Sequence, residues 1–247
     1  MRVACLFDVH GNLPALEAVL AEVRDAGVHR IIIGGDLLPG PMPRECLDAV
    51  MALGMPTQCL IGNGDRETLA ARRGAVGAMV PEFFHEAMHW NAAQLTARDD
   101  QTIAAWPLTL RMNIPGIGDV LFCHATPRND TEIFTKVTAD AKLLPIFDPL
   151  SAELVVCGHT HMQFDRMVGR TRIINAGSVG MPFQEPGAYW ALLGPGVELR
   201  RAGYDVTRAA ARVRATAYPQ ADACAAGILS PPSEQAMLEQ FKAAELK

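Results

Sequence analysis

The stretch Ile31-Ile32-Ile33-Gly34-Gly35-Asp36 decides how this chain is read. Three β-branched residues stop at two glycines and then present one carboxylate. An apolar run of that length, bounded by Gly-Gly, predicts a buried parallel strand whose C-terminal end opens into a loop, and α/β sheets hold their ligands at such ends. Asp36 is thereby aimed at a site.

Four further stretches are built the same way. Val3-Ala4-Cys5-Leu6-Phe7 precedes Asp8-Val9-His10-Gly11-Asn12, and Gln58-Cys59-Leu60-Ile61 precedes Gly62-Asn63-Gly64-Asp65. Val120-Leu121-Phe122-Cys123 precedes His124, and Leu154-Val155-Val156-Cys157 precedes Gly158-His159-Thr160-His161. If these strands share a sheet and a direction, their ends gather Asp8, His10, Asp36, Asn63, His124, His159 and His161. Imidazoles, carboxylates and an amide oxygen suit borderline or hard divalent ions, and no thiolate is needed. Seven such side chains exceed what one catalytic ion with an open position takes. They suit two ions joined by a bridging carboxylate, for which Asp36 is the natural choice.

Taken in order, these motifs resemble those of the calcineurin-like metallophosphoesterases, whose pattern runs D-x-H, G-D, G-N-x-D/E, a lone H and G-H-x-H. The resemblance implies that Asp8, His10, Asp36 and His161 hold one ion, and Asp36, Asn63, His124 and His159 the other. It implies two divalent cations drawn from Mn, Fe, Zn, Co and Ni, with Mn or Fe first, and a hydroxide between them as nucleophile. Asp36 and His159 then count as catalytic. Two ions about 3.5–4 Å apart lower the pKa of bound water and clamp both oxygens of an in-line phosphoryl displacement.

One position departs from the family pattern. Many relatives have G-N-H-D/E, where the histidine protonates the leaving oxygen; here Gly64 stands in that place. General-acid help is commonly worth about 10²- to 10⁴-fold, so its absence hurts most for leaving groups of high pKa. A preference for diesters, cyclic phosphates or activated esters is expected, as in a prokaryotic phosphodiesterase-like branch where this position is not histidine. Asp65 is the candidate for relaying a proton in its stead.

The 247 residues, 49% hydrophobic and 20% charged, are expected to form a single domain. A net charge of -5 argues against a dedicated binder of nucleic-acid polymers, while a small phosphorylated substrate stays compatible because bound cations invert the local potential. With Met1-Arg2 directly before the first strand, no signal peptide is expected, and no apolar run reaches bilayer length. A soluble, cytoplasmic protein without a membrane partner is expected. Cys5, Cys46, Cys59, Cys123, Cys157 and Cys224 form no C-x-x-C pair, and four of them occupy strand positions, as buried reduced thiols do.

Asn12 precedes Leu13, Leu16, Leu20 and Val23 at helical spacing, so it caps a helix. The resemblance also puts it near the substrate phosphate. A Pro-rich loop leads into a helix from about Arg44 to Leu53, and residues from about 66 to 106 form a mainly helical insert with Phe84, Met88, Ala92 and Leu95 on one face. Within it His85-Glu86-Ala87-Met88-His89 fits H-E-x-x-H, a zinc-protease signature, without the H-x-x-G-x-x-H continuation. His85 and His89 are therefore expected on a solvated or capping face.

After His124, Thr126-Pro127-Arg128 is similar to the H-x-S/T-P-R segment of many relatives, so Arg128 either forks onto phosphate or pairs with Asp130. Arg66, beside the Asn63 loop, is a second candidate of that kind. Gln163–Val168 and Thr171–Asn175 read as a hairpin around Gly169-Arg170, and Ala188–Leu193 and Val197–Arg201 as strands completing a second, more antiparallel sheet. Two mixed sheets face to face with helices outside make a four-layer α/β/β/α sandwich of the metallophosphoesterase type, with the metals at one edge. Beyond about residue 205, a helical extension carries Met237, Leu238 and Phe241, expected to dock on the body.

The function expected is a dinuclear metal-dependent phosphodiesterase acting on a small or nucleotide-like phosphate ester. The alternatives are a metal-binding scaffold of the same fold without turnover, and a broad phosphomonoesterase or protein phosphatase. The full set of seven ligands favours an enzyme, and Gly64 leaves room for the scaffold.

Overall fold

Strand and helix alternate through the first third of the chain in a computed structural model that describes residues 1–78 and 80–246. β1 (Val3–Leu6), α1 (Leu13–Asp25), β2 (Arg30–Ile33), α2 (Pro43–Met51), β3 (Thr57–Cys59) and α3 (Asn63–Arg72) come first. Next are α4 (His85–Ala93), α5 (Ala97–Ala104), β4 (Thr109–Ile114), β5 (Gly118–Cys123), α6 (Asp140–Phe147) and β6 (Leu154–Cys157). The hairpin of β7 (Phe164–Val168) and β8 (Thr171–Asn175) leads to β9 (Ala188–Leu193) and β10 (Val197–Ala202). Three helices follow: α7 (Val206–Arg214), α8 (Ala221–Leu229) and α9 (Glu234–Lys242).

Two five-stranded mixed sheets result, ordered β10-β9-β1-β2-β3 and β4-β5-β6-β8-β7. Because β1 and β6 are apolar at every position, and β2 and β5 are so over Ile31–Ile33 and Val120–Cys123, each buries both faces there, as strands covered on two sides must. Ala4, Leu6, Ile31 and Ile33 turn outward to pack under α1 and α2, whereas Val3, Cys5 and Ile32 turn inward against Val120, Phe122, Leu154 and Val156 of the other sheet. Leu121, Cys123, Val155 and Cys157 face α6. Three apolar seams thus separate four layers, the expected sandwich.

The five motif strands do not share one sheet. β1, β2 and β3 run parallel in the first, β5 and β6 parallel in the second, and the ends of both groups come together at one edge of the sandwich. The expectation that β9 and β10 complete the second sheet is corrected: β9 pairs antiparallel with β1, Ala4 opposite Leu192, and β10 lies outside it. Trp190 and Leu192 pack under the α1 side while Ala191 and Leu193 face the inter-sheet seam, so β9 needs cover on both faces and takes the place beside β1. The second sheet gains the β7–β8 hairpin instead, with β8 parallel to β6.

Asn12 caps α1, its Oδ1 accepting the Ala15 N–H at 3.2 Å. Of the expected stripe in the insert, Ala92 and Leu95 are buried, Met88 is half-buried and Phe84 lies exposed, and α4 buries Ala87 and Asn91 as well. α7 and α8 pack through Ala209, Ala210, Val213, Ala225 and Ile228 onto Met42. α9 ends at Lys242, four residues before the expected Leu246, and its Phe241 ring lies 6.1 Å from that of Phe183. No helix among the described residues is long and apolar enough to cross a membrane.

Candidate metal centre

The loops after β1 and β2 are laced together before any side chain is considered. Asp8 N–H donates to Gly35 O at 3.1 Å and His10 N–H to Asp36 O at 2.9 Å. Gly180 N–H and Ser178 Oγ both donate to Asp8 O, at 2.9 and 2.8 Å, so the segment after β8 closes on the same turn. The backbone there is strained: Asp8 (φ 54°), His10 (49°), Asp36 (50°), His159 (65°) and His161 (57°) occupy the left-handed region. Few non-glycine residues enter it, each costing roughly 1–2 kcal/mol, and they stay only where the surroundings over-determine them.

This backbone turns the ligand atoms toward one another. His10 Nδ1 donates to Pro39 O at 3.2 Å, His124 Nδ1 to Gly34 O at 2.9 Å, and His161 Nδ1 to Met181 O at 2.8 Å. Each bond fixes the ring and its tautomer and leaves Nε2 with a bare lone pair, the arrangement in which metal-binding imidazoles are held. Nε2 of His10 and Nε2 of His161 then face each other at 3.1 Å. Two lone pairs at that separation repel unless a cation lies between them. With metal–nitrogen bonds of about 2.0–2.1 Å, two ligands of one ion sit roughly that far apart.

The carboxylates fit the same account. Asp8 Oδ2 accepts the His159 N–H at 2.9 Å, while Oδ1 is buried without a hydrogen-bond donor among the described residues. That orphaned oxygen lies 3.3 Å from His161 Nε2 and 3.9 Å from both His10 Nε2 and His124 Nε2. Asp36 Oδ1 accepts the Gly64 N–H at 2.7 Å, and Oδ2 stands 3.8 Å from His10 Nε2 and 3.6 Å from His124 Nε2. One oxygen therefore reaches both imidazole groups. A single amide atom of Asn63 lies 3.1 Å from His124 Nε2 and 3.0 Å from His159 Nδ1. With the amide oxygen there, three acceptors converge, and a cation is what such a convergence suits. The donor set of nitrogen and oxygen, with its unpartnered buried oxygen, fits divalent ions.

Electrostatics follow from burial. Burial pushes the pKa of His159 down to about 4, helped by neighbouring His124. It lowers His10 as well, with His161 adding to the effect against the pull of Asp36 and Asp8. For His124 burial is outweighed by the Asp36 and Asp8 carboxylates, and the pKa rises. Burial alone would raise Asp8, but His161, His124 and His10 outweigh it and hold the carboxyl well below the usual range.

The other expected site residues are engaged as follows. Asp65 is fully buried: Oδ1 accepts the N–H groups of Leu37 and Leu38 at 3.0 and 3.1 Å, and Oδ2 that of Gly62 at 3.1 Å. Burial and the nearby Asp36 charge push its pKa up to about 7 against those hydrogen bonds. Asn12 is 2% exposed, and its Nδ2 donates to Gly180 O at 2.9 Å. Arg128 pairs with Glu132, not with Asp130 as its ion-pair alternative supposed. Asp130 belongs to Arg66, whose Nε and Nη2 grip Oδ2 and Oδ1 at 2.7 and 3.0 Å. α3 begins at Asn63, so its first turn carries Arg66 against the loop after β5.

Three positions escaped the sequence reading. Pro39 fills the place where a side chain at 64 would go: a Cβ on Gly64 meets Pro39 Cγ at 2.4 Å and Asp36 Oδ1 at 3.0 Å. Asn175 holds the Gly158–His161 turn, its Nδ2 donating to Gly158 O at 2.6 Å and Thr160 Oγ1 at 3.1 Å. Asn91, fully buried on α4, accepts the Gly40 N–H at 3.1 Å and ties the insert to the Pro-rich loop. An asparagine inside a helical apolar pattern was the available signal for Asn91. His85 of the H-E-x-x-H segment lies 2.9 Å from Val80 O through Nε2, and His89 is exposed. The groups able to hold an ion among the described residues are Asp8–His10–His161 and Asp8–Asp36–His124.

Residues 1–194 match the model of the calcineurin-like phosphoesterase superfamily domain. The chain belongs to this superfamily. An uncharacterized protein of Methanocaldococcus jannaschii is 27% identical over 202 residues, 73% of this chain and 76% of its own. A metallophosphoesterase from Sphaerobacter thermophilus is similar in structure, with a TM-score of 0.71 at 29% identity over 94% of this chain and 99% of its own. A hypothetical protein from Pyrococcus horikoshii OT3 shares the fold, with a TM-score of 0.77 at 20% identity and the same coverage. As a member of this superfamily, the chain carries a cluster of carboxylates and imidazoles able to hold a divalent ion at its converging strand ends.

Proposed function

We propose that this chain is a dinuclear metal-dependent phosphodiesterase acting on a small phosphate ester. The observation that carries the reading is the bare Asp8 Oδ1, buried and facing three imidazole Nε2 atoms whose rings are already oriented by backbone carbonyls. In this reading Asp8, His10, Asp36 and His161 hold one ion, and Asp36, Asn63, His124 and His159 the other. Two divalent ions there would supply Lewis-acid stabilisation of phosphoryl charge and acidify a water. The chain's own groups orient the set: Gly64 N–H locks Asp36 Oδ1 so that Oδ2 serves both sides, and the Asp65 carboxylate fixes the loop that carries Asp36.

Position 64 supports the diester preference. Glycine offers no proton, and Pro39 occupies the space in which a longer side chain would stand. Esters whose leaving oxygen departs without protonation are then favoured. The chain's net charge of -5 supports a small substrate over a nucleic-acid polymer.

The test is hydrolysis of bis(4-nitrophenyl) phosphate and 4-nitrophenyl phosphate by manganese-loaded protein, with Asp36→Asn as the blank. Diester turnover should exceed monoester turnover, and Asp36→Asn should lose at least about 10²-fold, since even outer partners of metal ligands commonly cost 10–100-fold. Full activity of Asp36→Asn would sink the site. No turnover of either ester with two equivalents of metal bound would leave a metal-binding scaffold.

A further inference from the structure

A cavity of about 410 Å³ opens directly beside His10. Its walls come from three separate parts of the chain: the exposed Phe83-Phe84 pair of the insert, the Met181–Phe183 loop, and the face of α8 bearing Cys224, Gly227 and Ile228. The cavity shares its inner wall with the metal centre, because His10 lines it and Phe183 stacks on His161 at 5.3 Å between ring centroids. A phosphate held by the ligand set would have an ester group within reach of this space.

The chemistry of the walls restricts that group. Among the described residues no Asp, Glu, Lys or Arg lines the cavity. Of the polar side chains that do, His10 is held by Pro39 O through Nδ1 and turns Nε2 to the metal centre, Asn12 is committed to Ala15 N–H and Gly180 O, and Gln220 Nε2 to Phe83 O at 2.8 Å. A sugar or a nucleobase edge buried there would lose hydrogen bonds to water without replacement, which is costly. Phe83 is 69% exposed at the rim, an unusual place for an aromatic ring unless something covers it. The volume lies in the range of small-molecule sites, which are mostly apolar.

We propose that this cavity receives an ester group of the phosphodiester substrate, and that the group is an uncharged hydrocarbon, alkyl or aryl, rather than a sugar or nucleoside. The inference rests on the phosphodiesterase reading above. It adds a specificity-determining wall, α8, that lies beyond the residues matched by the superfamily model.

α8 also provides the test. Gly227 lines the cavity, and a Cβ added there meets nothing within 4 Å, so a side chain at this position starts in open space at the wall. Ala223, one turn earlier on the same face, is a second position for filling the cavity. Binding of alkylphosphonates from methyl to octyl would be measured by calorimetry on manganese-loaded wild-type protein, Gly227→Trp and Ala223→Leu. Wild-type affinity should climb with chain length by up to about fourfold per methylene. In both variants the climb should flatten, while methylphosphonate binds as in wild type. A flat series in wild type, or an undiminished climb in both variants, would overturn the hydrocarbon pocket and leave the phosphodiesterase reading standing. If no phosphonate binds at all, the phosphate-holding metal centre fails and the pocket assignment falls with it.

Discussion

At the scale of single residues, the motif positions were legible as types and illegible as conformations. Asp8, His10, Asp36, His159 and His161 could be named from their place after apolar runs, yet nothing in the sequence marks them as left-handed, a state that only the crossing hydrogen bonds of neighbouring loops impose. Asp65 shows the limit more sharply. Its motif position made it a candidate proton relay, whereas its two oxygens receive three backbone N–H groups from the Asp36 and Asn63 loops. That geometry makes it a positioning residue. Asp65→Asn would turn an N–H donor toward Gly62 N–H and loosen both loops, so manganese affinity by calorimetry should fall about 10- to 100-fold. At saturating metal the dependence of rate on leaving-group pKa should stay as in wild type; a steeper dependence would restore the relay. Gly64 is likewise constrained by contact. Gly64→Ala should destabilise the fold by about 1–3 kcal/mol in urea unfolding, because its Cβ presses on the Pro39 ring and the Asp36 carboxylate. Gly64→His should therefore add no monoesterase activity while Pro39 is present, and a gain in that single variant would show that Pro39 yields.

At the scale of elements, the apolar runs announced β1, β2, β5 and β6 because buried parallel strands need no alternation. What periodicity could not say is which neighbour an antiparallel strand takes. β9, apolar on both faces, goes beside β1, where helix and second sheet both cover it, while the more polar β7 takes an edge. Contacts between loops and helices were equally unreadable: Arg66 and Arg128 looked alike as phosphate forks, and both are engaged with carboxylates. Asp130 is nearly buried, its side chain 7% exposed, whereas Arg66 is 43% exposed. The pair therefore matters through what it leaves behind. Arg66→Ala should strand a buried carboxylate next to the Asn63 amide, lowering the melting temperature and weakening metal binding, with KM for a diester little changed at saturating manganese. A rise in KM with melting temperature and metal affinity intact would instead return Arg66 to the substrate.

At the scale of the whole molecule, the two sheets meet through one apolar seam, and at its edge the fold concentrates carboxylates, bare imidazole nitrogens and strained backbone. Such an edge is held together better with cations than without them. A ligand that binds only the folded state stabilises it by about 2.7 kcal/mol at one hundred times its Kd. For a chain of this size about 1 kcal/mol corresponds to roughly 2–4 °C, so saturating manganese should raise the melting temperature by roughly 5–10 °C at pH 8. Protons compete for the same nitrogens. The order in which they win follows from the carboxylates: Asp36 and Asp8 raise His124 above an ordinary imidazole despite its burial, while burial keeps His159 neutral down to about 4 and lowers His10. A proton on His124 Nε2 excludes an ion there, and it arrives at a higher pH than on an unperturbed histidine of pKa about 6.5. The manganese shift in melting temperature should accordingly be full at pH 8 and already diminished by pH 6. His124→Ala should reduce it at pH 8. A shift of unchanged size from pH 8 to pH 5, measured by scanning fluorimetry at fixed free manganese, would mean that the ion binds away from these imidazoles.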